Sequence, residues 1–358
     1  MKKILLVGGG TLGPVTPLLA LAEAMRQRQD FTVLGLAGGR RGPERIMAEG
    51  AGLSFFSITV GKWRRPFDLR NFFTPFLVLM GVLESVGLLW RLKPSVIVSG
   101  GSFVGLPVLY AAWLLGIPSL TLQQDLVPSL ANRCAAKFVS KIAVVFPEVA
   151  RFFPAAKTVV TGNPIRQSLF EGSAERGRQF FQLEPSLPTV FIFGGGTGAA
   201  SLNEIVIAAL PELTQFCQII HLAGKGKLST ANRQPQTAHR YHPYEFLTDQ
   251  MADAYAAADL VVGRAGIGTI TELAALGKPA ILIPIPDSHQ EANARYLEER
   301  GAAVVISQKQ RQPEDLIKKI LMLLKNPERQ MKLCQAIGQL IPADAAEQMI
   351  KVIEELTK

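Results

Sequence analysis

A chain of 358 residues is long for one hydrophobic core, so two domains are expected. With 48% hydrophobic and 19% charged residues the composition is that of a well-packed soluble protein, while a mean hydropathy of +0.22 points to apolar surface that a partner or bilayer covers. Cys134, Cys217 and Cys334 have no metal-ligand spacing and read as buried thiols of a reducing compartment, which argues against a cysteine-held metal. The net charge of +9 is uneven: residues 1–165 hold 18 Lys+Arg against 8 Asp+Glu, the remainder 20 against 21, so the first half suits an anionic surface.

The chain opens on MKKILLV, too short an apolar run for a signal peptide, and reads as a first strand at 4–7. GGGTLGPVTP follows, a glycine turn before an amphipathic helix, where backbone N–H groups favour anions. The second strand, FTVLGLA (31–37), ends in GGRRG instead of an acidic residue, and no loop has the full G-x-G-x-x-G spacing. A hydride-transfer enzyme is therefore disfavoured.

Residues 61–93 combine Lys62, Arg64, Arg65, Arg70, Arg91 and Lys93 with Trp63, Phe72, Phe73, Phe76, Leu77, Leu79 and Trp90. Phe72 to Trp90 nearly reaches the length of a membrane span, but Pro75, Glu84 and Ser85 favour an interfacial patch, part of it packed in the domain core. Nucleic acid has no motif here, since the aromatics cluster with aliphatics.

Further short apolar runs follow at 95–100, 119–122, 142–146 and 158–162, with a second turn at Ser99-Gly100-Gly101-Ser102. After Asn163-Pro164 the plan restarts with TVFIFGGG (189–196), QIIHLAG (218–224), YEFL (244–247), LVVGRAG (260–266), PAILIPI (279–285) and AAVVIS (302–307). Short apolar strands alternating with helices mean parallel sheets buried on both faces, hence two doubly wound α/β domains.

The richest segment is GRAGIGTITELAALGKPAILIPIPDSHQEANA (263–294). Its glycine turn can hold a diphosphate, Glu272 can accept both hydroxyls of a ribose, and Gln290 can read sugar hydroxyls. The run Thr269 to Glu272 also allows Glu272 to be a helix-capping residue, with Gln290 and Asn293 merely solvated helix-start residues.

This segment resembles the donor site of the MurG-type family (glycosyltransferase family 28, GT-B fold). IVSGGSFVGLPVLYAAWLLGIPSLTLQQDLVPSLANR, VTGNPIR, FIFGGGTGAASLN and EFLTDQMADAYAAADLVVGRAG extend the likeness over nearly the whole chain. The resemblance implies two Rossmann-like domains facing across a cleft: an acceptor and membrane-associating domain (1–163), a UDP-sugar domain (164–340), and a last helix (341–358) packing back on the first. It implies transfer of N-acetylglucosamine from UDP-GlcNAc, with inversion, to undecaprenyl-pyrophosphoryl-N-acetylmuramoyl-pentapeptide (lipid I) in peptidoglycan synthesis, at the cytoplasmic face of the membrane, without metal or cofactor. The alternatives are a related enzyme with another lipid acceptor and a non-catalytic UDP-sugar-binding scaffold.

Carried over by position, Glu272 is the ribose carboxylate, Ile267, Gly268 and Thr269 lie beside the diphosphate, and Arg166 meets the donor phosphates. Gln290 contacts the sugar with Asn293 behind it, Phe246 and Leu247 flank the uracil, and Gly195, Gly196 and Thr197 form a phosphate loop in which Gly196 and Thr197 replace a usual Ser-Gln pair. The first loop departs from the family's GGTGGHxxP: Leu12 replaces a glycine and Pro14 a histidine suspected of catalysis. Where the family reads HEQN this chain has Leu122, Gln123, Gln124 and Asp125, so Asp125 is the candidate base; it could equally be a cap or turn aspartate before Pro128. Gly9, Gly10, Thr11, Thr16, Gly101, Ser102 and Gln124 are the expected acceptor contacts, with glycine N–H groups holding its diphosphate.

Overall fold

The computed structural model describes all residues except 41, 62–71, 73, 196, 197, 229–238 and 308–311. Lys62, Trp63, Arg64, Arg65, Arg70, Phe73, Gly196 and Thr197 thus lie outside the described residues. The chain divides into two units, Met1–Arg166 with Asp344–Lys358, and Gln167–Ala343. The first unit runs three residues past Asn163: Thr161 N–H still donates to Val144 O (3.1 Å), and Thr161 and Asn163 are buried.

The first unit holds seven parallel strands, β1 (Lys2–Val7), β2 (Phe31–Gly39), β3 (Phe55–Ile58), β4 (Val96–Ser99), β5 (Ser119–Gln123), β6 (Lys141–Val144) and β7 (Thr158–Val160), in spatial order 3-2-1-4-5-6-7. Ile4 to Val7 in the centre are fully buried, as parallel strands covered on both faces must be. β3 was not expected, because its four residues at the sheet edge are mostly part-exposed. Helices α1 (Thr16–Arg26), α2 (Glu44–Gly50), α3 (Thr74–Leu92), α4 (Leu106–Leu114) and α5 (Leu130–Ala135) join these strands.

α3 is the one helix among the described residues long and apolar enough to cross a membrane. Only a narrow stripe of it is buried: Thr74, Gly81, Val82, Ser85 and Leu89. A Cβ on Gly81 would collide with Thr59 O and crowd Pro107, so this glycine lets α3 lie directly on β3's exit and on α4. Phe76, Leu79, Leu83 and Trp90 on other faces stay exposed.

The second unit holds six parallel strands, β8 (Thr189–Phe193), β9 (Gln218–Leu222), β10 (Tyr241–Tyr244), β11 (Leu260–Gly263), β12 (Ala280–Leu282) and β13 (Val304–Val305), in the order 10-9-8-11-12-13. Its helices are α6 (Ala174–Phe181), α7 (Ala200–Leu213), α8 (Gln250–Ala257), α9 (Ile267–Leu276), α10 (His289–Glu299), α11 (Pro313–Leu324) and α12 (Pro327–Leu340). Val190, Ile192, Val262 and Ile281 pack against Leu202, Val206 and Leu210 of α7 and Leu316 and Ile320 of α11, each burial contributing about 1.5–3 kcal/mol. The strand expected at 244–247 begins three residues earlier, since Tyr241 to Tyr244 pair with Ile219 to Leu222. Pro243, which has no N–H, is tolerated on this edge strand.

The last helix, α13 (Ala345–Leu356), belongs to the first unit, where Arg28 on the exit of α1 donates to both Glu347 and Glu354. Of the cysteines Cys217 is buried, Cys334 part-buried and Cys134 exposed, which corrects the expectation of three buried thiols: Cys134 lies on the solvent side of the short α5.

Candidate active site

In a doubly wound sheet, ligands bind beyond the carboxyl ends of the strands where strand order reverses. In the second unit that point lies between β8 and β11, so the loops starting at Gly194 and Arg264 form it. Gly195 (φ +83°) and Gly198 (φ +68°) take left-handed backbone, closed by Gly198 N–H donating to Gly195 O (2.9 Å). A Cβ on Gly198 would collide with Ala223 O, so only glycine lets this loop pass so close to the exit of β9.

α9 starts at Ile267 with Gly266 as its cap residue and no side-chain cap, leaving the first-turn N–H groups of Ile267, Gly268 and Thr269 to an outside acceptor. A Cβ on Gly268 would meet nothing within 4 Å: the space is open. Glu272 follows four residues later, on the same helix face. It is not a capping residue, because the helix has already run a full turn before it. Its Oε2 accepts from the Tyr255 hydroxyl (2.8 Å), and Tyr255, buried in α8, is wedged edge-on against Phe191 and Phe193. The carboxylate is thus oriented before any ligand arrives.

Opposite the Gly266 turn, Gln290 Oε1 accepts from Ile285 N–H (3.2 Å), which turns its amide NH2 towards Gly266. Asn293 is fully buried and donates to Ala265 O (3.2 Å), which holds the turn from behind. Phe246 is 63% exposed beyond β10, whereas Leu247 is buried.

Two further residues of this unit escaped the sequence reading. Arg264, 5% exposed, donates to Ile283 O (3.0 Å) and Ser201 Oγ (2.7 Å), tying the exits of β11 and β12 to the start of α7 and placing a cation at the switch point. Its signal was the single charge between strand and glycine in LVVGRAG. His221 on β9 is buried among polar partners: Asn203 donates to Ala223 O (2.9 Å), so its oxygen faces His221 Nε2 (3.2 Å), leaving Nδ1 to accept from the Tyr241 hydroxyl (2.9 Å). Burial pushes the His221 pKa down to about 4, so the ring is neutral near pH 7.

The first unit has its switch point between β1 and β4. The expectation that glycine N–H groups hold an acceptor diphosphate meets competition here, because two of them already have partners within the chain. Gly8 N–H donates to Ala37 O (3.1 Å), and Gly10 N–H to Glu44 Oε2 (3.2 Å), whose other oxygen accepts from Gly39 N–H (2.9 Å). Glu44 is 1% exposed, so the protein's own carboxylate fills the anion seat. Gly9 is buried and a Cβ on it would strike Glu44. Position 100 has to be glycine, because the carbonyl oxygen of Pro14 leaves no room for a Cβ there.

Of the other expected acceptor contacts, Thr16 Oγ1 donates to Leu12 O (3.0 Å) and Gln124 donates to Gly100 O (3.1 Å) and Gly13 O (3.4 Å), joining the two loops. Gly101 N–H donates to Ser99 Oγ (3.3 Å). Thr11 is exposed, and the Ser102 hydroxyl is buried without a hydrogen-bond partner. Asp125 sits half-buried in the bend after β5, its carbonyl accepting from Gln123 Nε2 (2.6 Å), while Asn132 binds Gln123 (2.7 Å) and Leu122 O (3.1 Å) from beneath. It is not a helix cap: Ser129 caps α5 by accepting from Asn132 N–H. Arg166 ends this unit with its Nε buried and unpartnered. Among the described residues no three His, Cys, Asp or Glu side chains group as metal ligands.

Comparison with known proteins agrees with this architecture. The glycosyltransferase family 28 N-terminal domain profile matches residues 4–144 and the C-terminal domain profile residues 189–349. A Bacillus cereus protein named UDP-N-acetylglucosamine--N-acetylmuramyl-(pentapeptide) pyrophosphoryl-undecaprenol N-acetylglucosamine transferase 2 is 38% identical over 92% of this chain and 93% of its own length. A Lachnoclostridium phytofermentans protein named as such a transferase is 37% identical over 99% of both chains. The crystal structure of Acinetobacter baumannii MurG superposes with a TM-score of 0.77 at 26% identity, covering 99% of this chain and 100% of that one. Likeness at 13% identity to a Neisseria meningitidis UDP-GlcNAc 2-epimerase (TM-score 0.72, 99% and 100% covered) shows the fold alone. Two parallel α/β domains of GT-B type, matched by both halves of one family and by full-length relatives, place the chain in glycosyltransferase family 28.

Proposed function

We infer that the protein moves N-acetylglucosamine from UDP-GlcNAc to undecaprenyl-pyrophosphoryl-N-acetylmuramoyl-pentapeptide, the step of peptidoglycan synthesis that its relatives' names describe. The observation that carries this reading is Glu272, held by Tyr255 one turn beyond the uncapped start of α9. A carboxylate there accepts the two ribose hydroxyls while first-turn N–H groups take the diphosphate, which matches a nucleoside diphosphate sugar.

The acceptor's 4-hydroxyl attacks the anomeric carbon from the face opposite the leaving group. The new C–O bond forms as the bond to the β-phosphate oxygen breaks, UDP departs with the electron pair, and the configuration inverts. Asp125 takes the hydroxyl proton. The α9 N-terminus, Arg166 and the buried Arg264 offset the charge on departing UDP. Gln290, whose NH2 is turned towards the Gly266 turn, donates to the sugar.

The protein sits on the membrane rather than through it. Glu84 on α3 accepts from Thr59 N–H and Thr59 Oγ1 (2.9 Å), which ties this helix to its own domain, while Phe76, Leu79, Leu83 and Trp90 enter the bilayer interface. A +10 half supports contact with anionic lipids at the cytoplasmic face.

Turnover of UDP-GlcNAc with lipid I tests the reading. Transfer by the wild type that falls at least about a hundredfold in Asp125→Ala, the range general-base removal produces, supports it. Transfer only to other lipids would move the protein to a different acceptor, and tight UDP binding without turnover would make it a scaffold.

A further inference from the structure

The run GGRRG follows β2 where a dinucleotide fold keeps an acid, and it puts Arg40 at the carboxyl edge of the first sheet. With the N–H groups of Gly8 and Gly10 already taken and the Glu44 carboxylate seated among them, the first loop offers a diphosphate fewer backbone donors and a neighbouring negative charge. A cation beside it offsets both.

Arg40 follows directly on Gly39, whose N–H is the other donor to Glu44. Its Nη2 donates to Glu84 Oε1 (2.7 Å), yet the side chain is 63% exposed, so most of its donor fork faces solvent. Glu84 does not depend on Arg40, because Thr59 already supplies it with two hydrogen bonds. These contacts outweigh burial and hold the Glu84 carboxyl below its ordinary range, so it stays charged and keeps the guanidinium aimed. Glu84 also lies on α3, beside Leu83 of the exposed apolar surface. Arg40 therefore stands where the helix with the exposed apolar face meets the sheet edge; in a bilayer, lipid phosphates lie at such a boundary between apolar and charged groups.

We propose that Arg40 grips the diphosphate of the lipid-linked acceptor, with Glu84 as its positioning residue. A guanidinium offers two parallel N–H groups to phosphate oxygens, which an ammonium cannot reproduce. This inference rests on the acceptor reading above.

The test is steady-state transfer with saturating UDP-GlcNAc in Arg40→Gln, Arg40→Lys and Glu84→Gln, together with binding to phosphatidylglycerol vesicles with and without undecaprenyl diphosphate. Arg40→Gln should raise the acceptor KM about ten- to a hundredfold, the range expected for a lost charged hydrogen bond, with donor KM and melting temperature unchanged. Arg40→Lys and Glu84→Gln should fall between it and the wild type, and Arg40→Gln should lose the extra vesicle binding that the diphosphate confers. An unchanged acceptor KM overturns the proposal. So does an equal loss on vesicles without diphosphate, which would make Arg40 a headgroup contact. If the wild type transfers nothing to lipid I, the functional reading fails first; the diphosphate-dependent vesicle binding then still decides whether Arg40 binds this group.

Discussion

Each unit places a glycine turn and a helix start at its switch point, and the two switch points end up chemically opposite. Around the switch point of the second unit the start of α9 is uncapped, the space over Gly268 is open, and Tyr255 holds the Glu272 carboxylate on the adjoining turn. At the first unit's switch point Glu44 reaches in from α2 and takes Gly10 and Gly39 N–H for itself. One helix start has open space before it, and the other loop already meets a carboxylate. A glycine-rich turn therefore sets what the backbone can do, and a residue distant in sequence decides whether that capacity faces a ligand or is used internally.

Removing each carboxylate should have contrasting effects. Glu272→Ala should lower kcat/KM for UDP-GlcNAc about a thousandfold, as expected for two charged hydrogen bonds to ribose, with the melting temperature nearly unchanged. Glu44→Ala should do the reverse: the buried N–H of Gly39, left unpaired, costs about 1–3 kcal/mol of stability in denaturant unfolding, with donor KM unaltered. Loss of stability in Glu272→Ala alone would erase the contrast.

Acid should separate the units next. All four histidines lie in the second, and His221 has a folded pKa of about 4 against 6.5 for the free side chain. A depressed pKa means that the unfolded chain binds the proton more readily. The stability His221 contributes is thus full above pH 6.5 and is lost as pH falls towards 4, about 3 kcal/mol in all. Unfolding followed by probes in each unit should show the second one weakening first, and His221→Gln should flatten that dependence. The smallest effect belongs to Tyr255→Phe, which leaves Glu272 in place but unsteered and should raise donor KM about tenfold. A change as large as that of Glu272→Ala would mean that Tyr255 itself touches the ligand.

Local pattern carried most of the architecture. Strands such as ILLV and TVFIF were readable because parallel strands buried on both faces are continuously apolar. β3 and β10 were missed or displaced because edge strands lack that signature, and Tyr241-His-Pro-Tyr244 is a strand only through its pairing with β9. The short-range grammar also marked Gly266, Gly268 and Glu272 as one group, since they share a turn and a helix face.

What the sequence determined by itself was a pair of doubly wound sheets, their glycine turns, and a candidate nucleotide-sugar site within one contiguous segment. Only the tertiary structure decided which backbone donors remain open. Glu44 meets Gly10 across 34 residues, Tyr255 meets Glu272 across 17 and Arg264 meets Ser201 across 63. Such pairings leave no periodic trace, because a hydrogen bond depends on where two side chains lie in space and not on their spacing along the chain.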